Sequence, residues 1–384
     1  KRLLEVMMDF ELGEEYRMFQ KAIRDLAEKE IKPLVDEAEE NEKFPIQLFK
    51  RMGELNLLCI NYSEEYGGSG ADEIMECIYS EELGRICCGI ATGIVLQTIA
   101  TYPIYRFCTE EQKNKYIPQA CKGEKIFAFA LTEPNAGSDI LSIETKAVRK
   151  GDKYIISGTK MFIGNGTIAD YVLVAAYIDK TKKMNGIALF IVDTKSPGFS
   201  AHKIKKLGNR SNENAEMVFQ DVEVSRENIV GDEMGGFSKI VEALSKGRFI
   251  VASRNIGVAQ AAFEDALRYA KERIQFGRPI VKFQAIRFKL AEMATLIKAA
   301  RLMNYEVAWS YKMGKKSLME ASMSKLFATE MAERVTNAAL QIFGGYGYMM
   351  EFPVQRYFRD ARAGTIVEGT SEIQHIIIAK ELGL

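Results

Sequence analysis

Residues 153–178 read "KYIISGTKMFIGNGTIADYVLVAAYI", and their texture decides the fold class. β-branched and aromatic residues gather in short runs divided by turn residues, the pattern of strands rather than helices. The habit extends to both sides, through "KIFAFAL" before and "IALFIVD" and "EMVFQDVEV" after, so a β-domain is expected between about Ile126 and Glu233. Elsewhere the period is helical. From Leu12 to about Gly123, "EEYRMFQKAIRDLAEKEIKPLVDEAEE" places Phe19, Ile23 and Leu26 on one face, with Pro33, Pro45, Gly67-Gly68 and Pro103 as punctuation. After Gly235-Gly236 come three long apolar-faced periods, at residues 237–274, 284–312 and 320–345. Helices of that length belong in a bundle and can bury further surface against another subunit. The expectation is an α+β chain: a helical domain over 1–125, a central β-domain over 126–234, and a four-helix-bundle-like domain over 235–384.

With 384 residues the chain can hold two or three cores at about 150 residues each. Lys plus Arg and Asp plus Glu both number 52, which leaves no global field to hold nucleic acid or an anionic membrane. No apolar run approaches the roughly 20 residues of a bilayer span, and the opening "KRLLEVMMDFELGEEYRMF" lacks the apolar core of a secretory signal. A cytoplasmic location is expected, or the mitochondrial matrix for a eukaryotic source. The six cysteines at 59, 77, 87, 88, 108 and 121 form no C-x-x-C pair and read as buried, reduced thiols. His202 and His375 are the only histidines, which excludes a multi-histidine metal site and disfavours a Ser-His-Asp arrangement. Chemistry must therefore come from carboxylates, backbone groups or a borrowed cofactor.

Several motifs have plain structural readings. "GNGTIA" at 164–169 fits a loose dinucleotide fingerprint, but the strand-like "DYVLVAAY" follows where a helix is required, so that site is rejected. "ALTEPNAGSDI" reads as a strand connection, and "AKERIQFGRPI" as a cationic helix C-terminus closed by Gly277 and Pro279. "QIFGGYGYMMEFPVQRYFRDAR" joins adjacent glycines, which admit close backbone approach, to aromatics and three arginines. In "DARAGTIVEGTSEIQHIII", Thr365-x-x-Glu368 and Ser371-x-x-Gln374 both have capping-box spacing. The competing reading makes Glu368 a carboxylate in an apolar pocket, tuned as a base.

The order of these motifs carries more than any one of them. "TEPNAGSD", "KMFIGNG", "ERIQFG", "QIFGGYGY" and "RDARAGTIVEGTSEIQ" resemble, in that order and over essentially the whole chain, the acyl-CoA dehydrogenase family. The resemblance implies FAD as cofactor, an acyl-CoA or enoyl-CoA thioester as substrate, and an electron-transfer flavoprotein as electron partner. It implies that Glu368 removes the α-proton while hydride leaves the β-carbon for the flavin. Phe129, Leu131, Thr132, Gly137 and Ser138 match cofactor-contacting positions, as do Phe162, Ile163 and Gly164. Arg273, Gln275, Phe276 and Gln284 match a group reaching FAD across a subunit interface, which implies a homo-oligomer, by analogy a tetramer. Gln341, Gly344 and Gly345 match the adenosine cradle, and Thr370 and Glu372 match further FAD contacts. Ser138, Ser245, Gly247, Arg248 and Gly369 match the CoA and acyl path. Ile366, Val367 and Gly369 are expected to wall the base and raise its pKa.

The chain departs from the family pattern in places. Gly164 stands where relatives carry Thr or Ser; Asn212 and Asn214 replace expected hydroxyl residues; and Gly247 stands where some relatives place the base, which leaves Glu368 unopposed. The stretch "CGIATGIVLQ" has no Arg to clamp a dicarboxylyl thioester, though Arg85 and Arg106 flank it. The same site run as an enoyl-CoA reductase, an oxidase, and a non-catalytic flavin-binding scaffold or assembly partner remain alternatives.

Overall fold

The computed structural model describes residues 12–315 and 317–384, so the opening stretch read above for a leader lies largely outside it. Helix α1 (Glu14–Leu26) buries Ile23 and packs Phe19 and Leu26 half-buried against the first core, the face that the spacing gave. A π-helical turn over Ala27–Ile31 and Pro33 bend the chain into α2 (Val35–Glu40), followed by α3 (Gln47–Glu54). Asp72 caps α4 (Glu73–Ile86) by accepting from the Met75 N–H at 2.9 Å. Next come α5 (Cys88–Phe107) and α6 (Glu110–Cys121), the latter opened by a Thr109–Gln112 capping box. Pro103, taken above as punctuation, lies inside α5. Burial of that helix on nearly every side outweighs its one lost backbone hydrogen bond.

The central strands are β1 (Phe127–Ala130), β2 (Lys146–Lys150), β3 (Lys153–Gly164), β4 (Tyr171–Tyr177), β5 (Ile187–Asp193), β6 (Phe199–Lys203) and β7 (Asn214–Ser225). They form one seven-stranded sheet in the order β1-β4-β2-β3-β7-β6, with β5 antiparallel on β4. The long β3–β7 ladder is broken between Ile156 and Gly158 and again between Lys160 and Ile163. Such bulges re-aim side chains, and the second puts Phe162 at φ 64° with its ring 63% exposed on the sheet surface.

The last block holds α7 (Gly236–Glu272), α8 (Gln284–Lys312), α9 (Leu318–Phe343), α10 (Val354–Ala361) and α11 (Ser371–Glu381). At 37 residues α7 is about 55 Å long and packs against α4, α5, α8 and α9. Small residues let it do so. A Cβ on Gly84 of α4 would lie 2.4 Å from the Arg254 carbonyl oxygen, and one on Gly257 of α7 would lie 2.0 Å from that of Glu81, so the two backbones cross in near contact. Arg301–Glu81 at 2.7 Å and buried Lys246–Glu76 at 2.9 Å tie the terminal blocks together beside that crossing. The end of α7 differs from the helix stop read in the sequence: β8 (Ile274–Gln275) and β9 (Arg278–Pro279) make a hairpin whose turn residues, Phe276 at φ 50° and Gly277 at φ 74°, are both left-handed. A two-residue turn of that kind matches strand twist, and it leaves Phe276 93% exposed at the tip.

Candidate active site

Glu368 sits in the turn between α10 and α11 with φ 55°, followed by Gly369 at φ 88°. Two side chains pin this strained corner from below. Gln374 Nε2 donates to the carbonyls of Glu368 and Gly369 at 3.2 and 2.9 Å, and Lys325 Nζ of α9 donates to that of Gly369 at 2.7 Å. Neither capping box read in the sequence forms. Thr370 caps α11 by accepting from Ile373 N, because the corner at 368–369 shifts the helix start one residue ahead of Ser371. The Thr365 hydroxyl donates instead to Glu333 at 2.7 Å.

The corner turns the Glu368 carboxylate onto α7. A Cβ added to Gly247 would stand 2.9 Å from Oε2 and 3.3 Å from Cδ, so the two positions that the family pattern offers for a base converge on one spot. The residue as a whole keeps partial exposure, but Oε2 is sealed and has no hydrogen-bond partner. The sealed oxygen sets the titration of the carboxylate. Burial pushes its pKa up, while the charges of Arg248, Arg254 and Lys325 pull the other way and offset part of that rise. The expected walls do not provide the burial: Ile366 and Val367 are 53% and 39% exposed, and α7 does the sealing because the left-handed corner points their side chains outward.

A second group assembles on the sheet. Buried Lys160 of β3 pairs with Glu133 at 2.7 Å and donates to the Leu131 carbonyl at 3.0 Å. Glu133 also accepts from the N–H groups of Glu144 and Thr145 at 2.6 and 3.1 Å. Burial alone would raise Glu133, but the Lys160 charge and these donors hold it below its ordinary value; burial lowers Lys160 to about 8. Both stay charged at neutral pH. This pair fixes the "TEPNAGSD" turn, and Met161 N donates to the Thr132 carbonyl at 2.8 Å, so half-buried Leu131 and Thr132 lie beside the bulge at Phe162, Ile163 and Gly164; Phe129 is half-buried, and Gly137 and Ser138 are exposed.

The asparagine departures have structural roles here. Asn214 Nδ2 donates to the Phe162 carbonyl at 3.0 Å, and Asn212 Nδ2 to Asn165 Oδ1 at 3.0 Å, while Asn165 donates to the Gly93 carbonyl of α5 at 2.9 Å. Together they hold the backbone on both sides of Gly164. A Cβ there would meet Leu96 Cδ1 at 2.4 Å, so Leu96 fills the space of the missing side chain.

The remaining expected cofactor residues gather elsewhere. Arg273, Gln275, Gly344 and Gly345 line an open cleft of about 550 Å³ with Tyr269 and Tyr346, and none of its lining comes from β1, β3 or the Glu368 corner. The Arg273 guanidinium lies 5.3 Å over the Tyr346 ring, and a Cβ on either glycine would meet nothing within 4 Å. Gln341 is exposed at the end of α9, and Phe276 touches Phe283, next to Gln284. On α7, the Ser245 hydroxyl accepts from Arg248 Nη1 at 3.0 Å. Glu372 is held low by its own backbone N–H and the Thr370 hydroxyl at the α11 start.

Five residues around these groups are not marked as site residues by the sequence motifs: Lys325, Arg254, Leu96, Lys160 and Glu133. Two had a visible signal, since Lys325 falls on the stripe of Ala321 and Ala328, and Arg254 interrupts "FIVASRNIGVAQ". Buried Arg254 donates through Nη1 to Thr92 Oγ1 at 2.7 Å. The arginines flanking α5 are engaged elsewhere, Arg85 with Glu28 and Glu264 and Arg106 with Glu242.

Family models described as the N-terminal, middle and C-terminal domains of acyl-CoA dehydrogenase match residues 13–124, 128–222 and 234–383. A curated acryloyl-CoA reductase (NADH) of Anaerotignum propionicum is 40% identical over 98% of this chain and 96% of its own. The butyryl-CoA dehydrogenase structure from Megasphaera elsdenii superposes with TM-score 0.95 at 39% identity, over 98% of this chain and 100% of that one. A chain in the structure described as the electron transferring flavoprotein of Acidaminococcus fermentans reaches TM-score 0.95 at 41% identity, over 98% of this chain and 99% of that one. Among the described residues no helix is long and apolar enough to cross a membrane, and no group of three or more His, Cys, Asp or Glu is placed to hold a metal.

Proposed function

Because the chain belongs to the acyl-CoA dehydrogenase family, a family of oxidoreductases, we propose that it dehydrogenates an acyl-CoA thioester between the α and β carbons with Glu368 as the α-proton base. The observation that carries this is the sealed, unpartnered Oε2 of Glu368. A carboxylate in water gains little by accepting a proton from carbon; one stripped of hydrogen bonds is a stronger base. The backbone N–H of Glu368 donates to no acceptor among the described residues and is available to a thioester oxygen, where it would stabilise charge building on the enolate. Arg248, Arg254 and Lys325 add positive potential to the same pocket.

FAD fits the residues present, and when bound it supplies the hydride acceptor for the β-carbon. The Thr132–Ser138 turn and the Phe162–Gly164 bulge would hold the ring end. The Arg273–Gly345 cleft offers a cation and an uncrowded glycine backbone, suited to pyrophosphate and adenosine. Its separation from the sheet group supports a cofactor shared between copies of the chain, hence a homo-oligomer of two or more, with a tetramer as the family form. Electrons would leave to an electron-transfer flavoprotein.

A second direction stays open on one feature: Gly164 with Leu96 takes the place of a hydroxyl beside the expected flavin position, which changes the surroundings of the flavin without fixing the direction of the reaction. Run backwards, Glu368 in its protonated form would deliver a proton to the α-carbon of an enoyl-CoA, and its raised pKa suits that role. Anaerobic titration of the FAD-loaded protein tests the reading: acyl-CoA thioesters should bleach the flavin, and enoyl-CoA thioesters should reoxidise the reduced form. A flavoprotein inert to both would defeat the proposal.

A further inference from the structure

Arg254 has no carboxylate partner among the described residues: its Nη1 bonds the Thr92 hydroxyl, its Nε is buried without an acceptor, and the residue is 4% exposed. Buried guanidinium groups are nearly always paired, so this one lacks an anion. Its surroundings make the deficit larger. Arg254, Arg248 and Lys325 all act on Glu368, three cations around one carboxylate, while Lys246 is satisfied by Glu76.

The position of Arg254 indicates where an anion would enter. Glu368 rests on Gly247, and Arg254 lies seven residues on, two turns along the same face and about 10.5 Å further on α7. On the facing helix, Thr92 and Leu96 are the two residues between Cys88 and Ile104 that are not fully buried, one turn apart on one side of α5. Leu96 meets Gly164 at the sheet, and Thr92 meets Arg254. One side of α5 therefore faces both Gly164 and Arg254. Resting on the assignment of Glu368 as the base, we propose that Arg254 clamps a carboxylate at the far end of the acyl group, so that the preferred substrates are short dicarboxylyl-CoA thioesters. The clamp sits on α7 rather than in the α5 stretch where its absence from the sequence counted against such substrates.

The test uses FAD-loaded protein under anaerobic conditions with an artificial electron acceptor. Succinyl-, glutaryl- and adipoyl-CoA are compared with butyryl- and hexanoyl-CoA as kcat/KM. The best dicarboxylyl thioester should exceed the best monocarboxylyl one by roughly 100-fold, the scale of a desolvated charge pair, with the difference in KM more than kcat. Arg254→Gln should remove that preference, and Arg254→Lys should restore part of it. Monocarboxylyl thioesters turning over while dicarboxylyl ones do not overturns the clamp and leaves Glu368 as base. A preference unmoved in Arg254→Gln also overturns it. Inertness toward both classes removes the underlying assignment and the clamp with it. Should Arg254→Gln fail to fold, the wild-type ratio decides: about one or below refutes the proposal.

Discussion

Replacing Gly247 with alanine separates the position of the Glu368 carboxylate from its presence. The new Cβ would lie 2.9 Å from Oε2, whereas ordinary contact begins near 3.4 Å, so the carboxylate must retreat by roughly half an ångström to one ångström. The atom that gives way is the end of a flexible side chain, so folding is not opposed. Alanine in a helix interior should even stabilise by roughly 0.5–1 kcal/mol over glycine. A misplacement of about 1 Å costs on the order of 100-fold in a reaction that depends on attack geometry. Gly247→Ala should therefore hold FAD, melt at or above the wild-type temperature, and reduce its flavin 10- to 100-fold more slowly in anaerobic stopped-flow mixing with an acyl-CoA substrate, by the same estimate. A folded, FAD-replete Gly247→Ala protein that bleaches at the wild-type rate would show that the carboxylate on Gly247 is not the base.

Three further outcomes are expected. Burial raises the Glu368 pKa, and only the deprotonated form accepts the α-proton, so kcat/KM for acyl-CoA oxidation should fall as pH drops through a midpoint above the ordinary glutamate value of about 4.3. Lys325→Met, which removes a cation that lowers that pKa, should move this acid limb of the pH profile upward. Lys160→Met leaves Glu133 buried without its cation and should lower stability to chemical denaturation by about 3–5 kcal/mol, with loss of FAD on gel filtration. Gly164→Thr collides with Leu96 and should cost about 1–3 kcal/mol in thermal unfolding; adding Leu96→Ala should recover most of it, because the space then exists.

Much of the fold was legible because local and global signals agree. The Phe19–Ile23–Leu26 face, the strand runs about Tyr154 and Val172, and the alanine-rich periods of the last block each present the period their partner surface demands. Signals failed where long-range packing decides. Pro103 carries a local breaking preference that burial of α5 overrides, and the hairpin after α7 depends on two consecutive left-handed residues, one of which is phenylalanine. Motif order points to Glu368, but the burial of its carboxylate is not local: it rests on Gly247, more than a hundred positions away, and no neighbouring residue type records that contact. Lys160 and Glu133 likewise form a pair only because the bulged strand and the turn fold together.

The proposed chemistry needs a single proton acceptor, and Glu368→Gln tests it with little change of shape. The variant should bind FAD and acyl-CoA as the wild type does, and in anaerobic mixing its flavin should bleach at least about 1,000-fold more slowly, within the range that general-base catalysis contributes. Bleaching within tenfold of the wild-type rate would contradict the assignment and place the base elsewhere in the molecule.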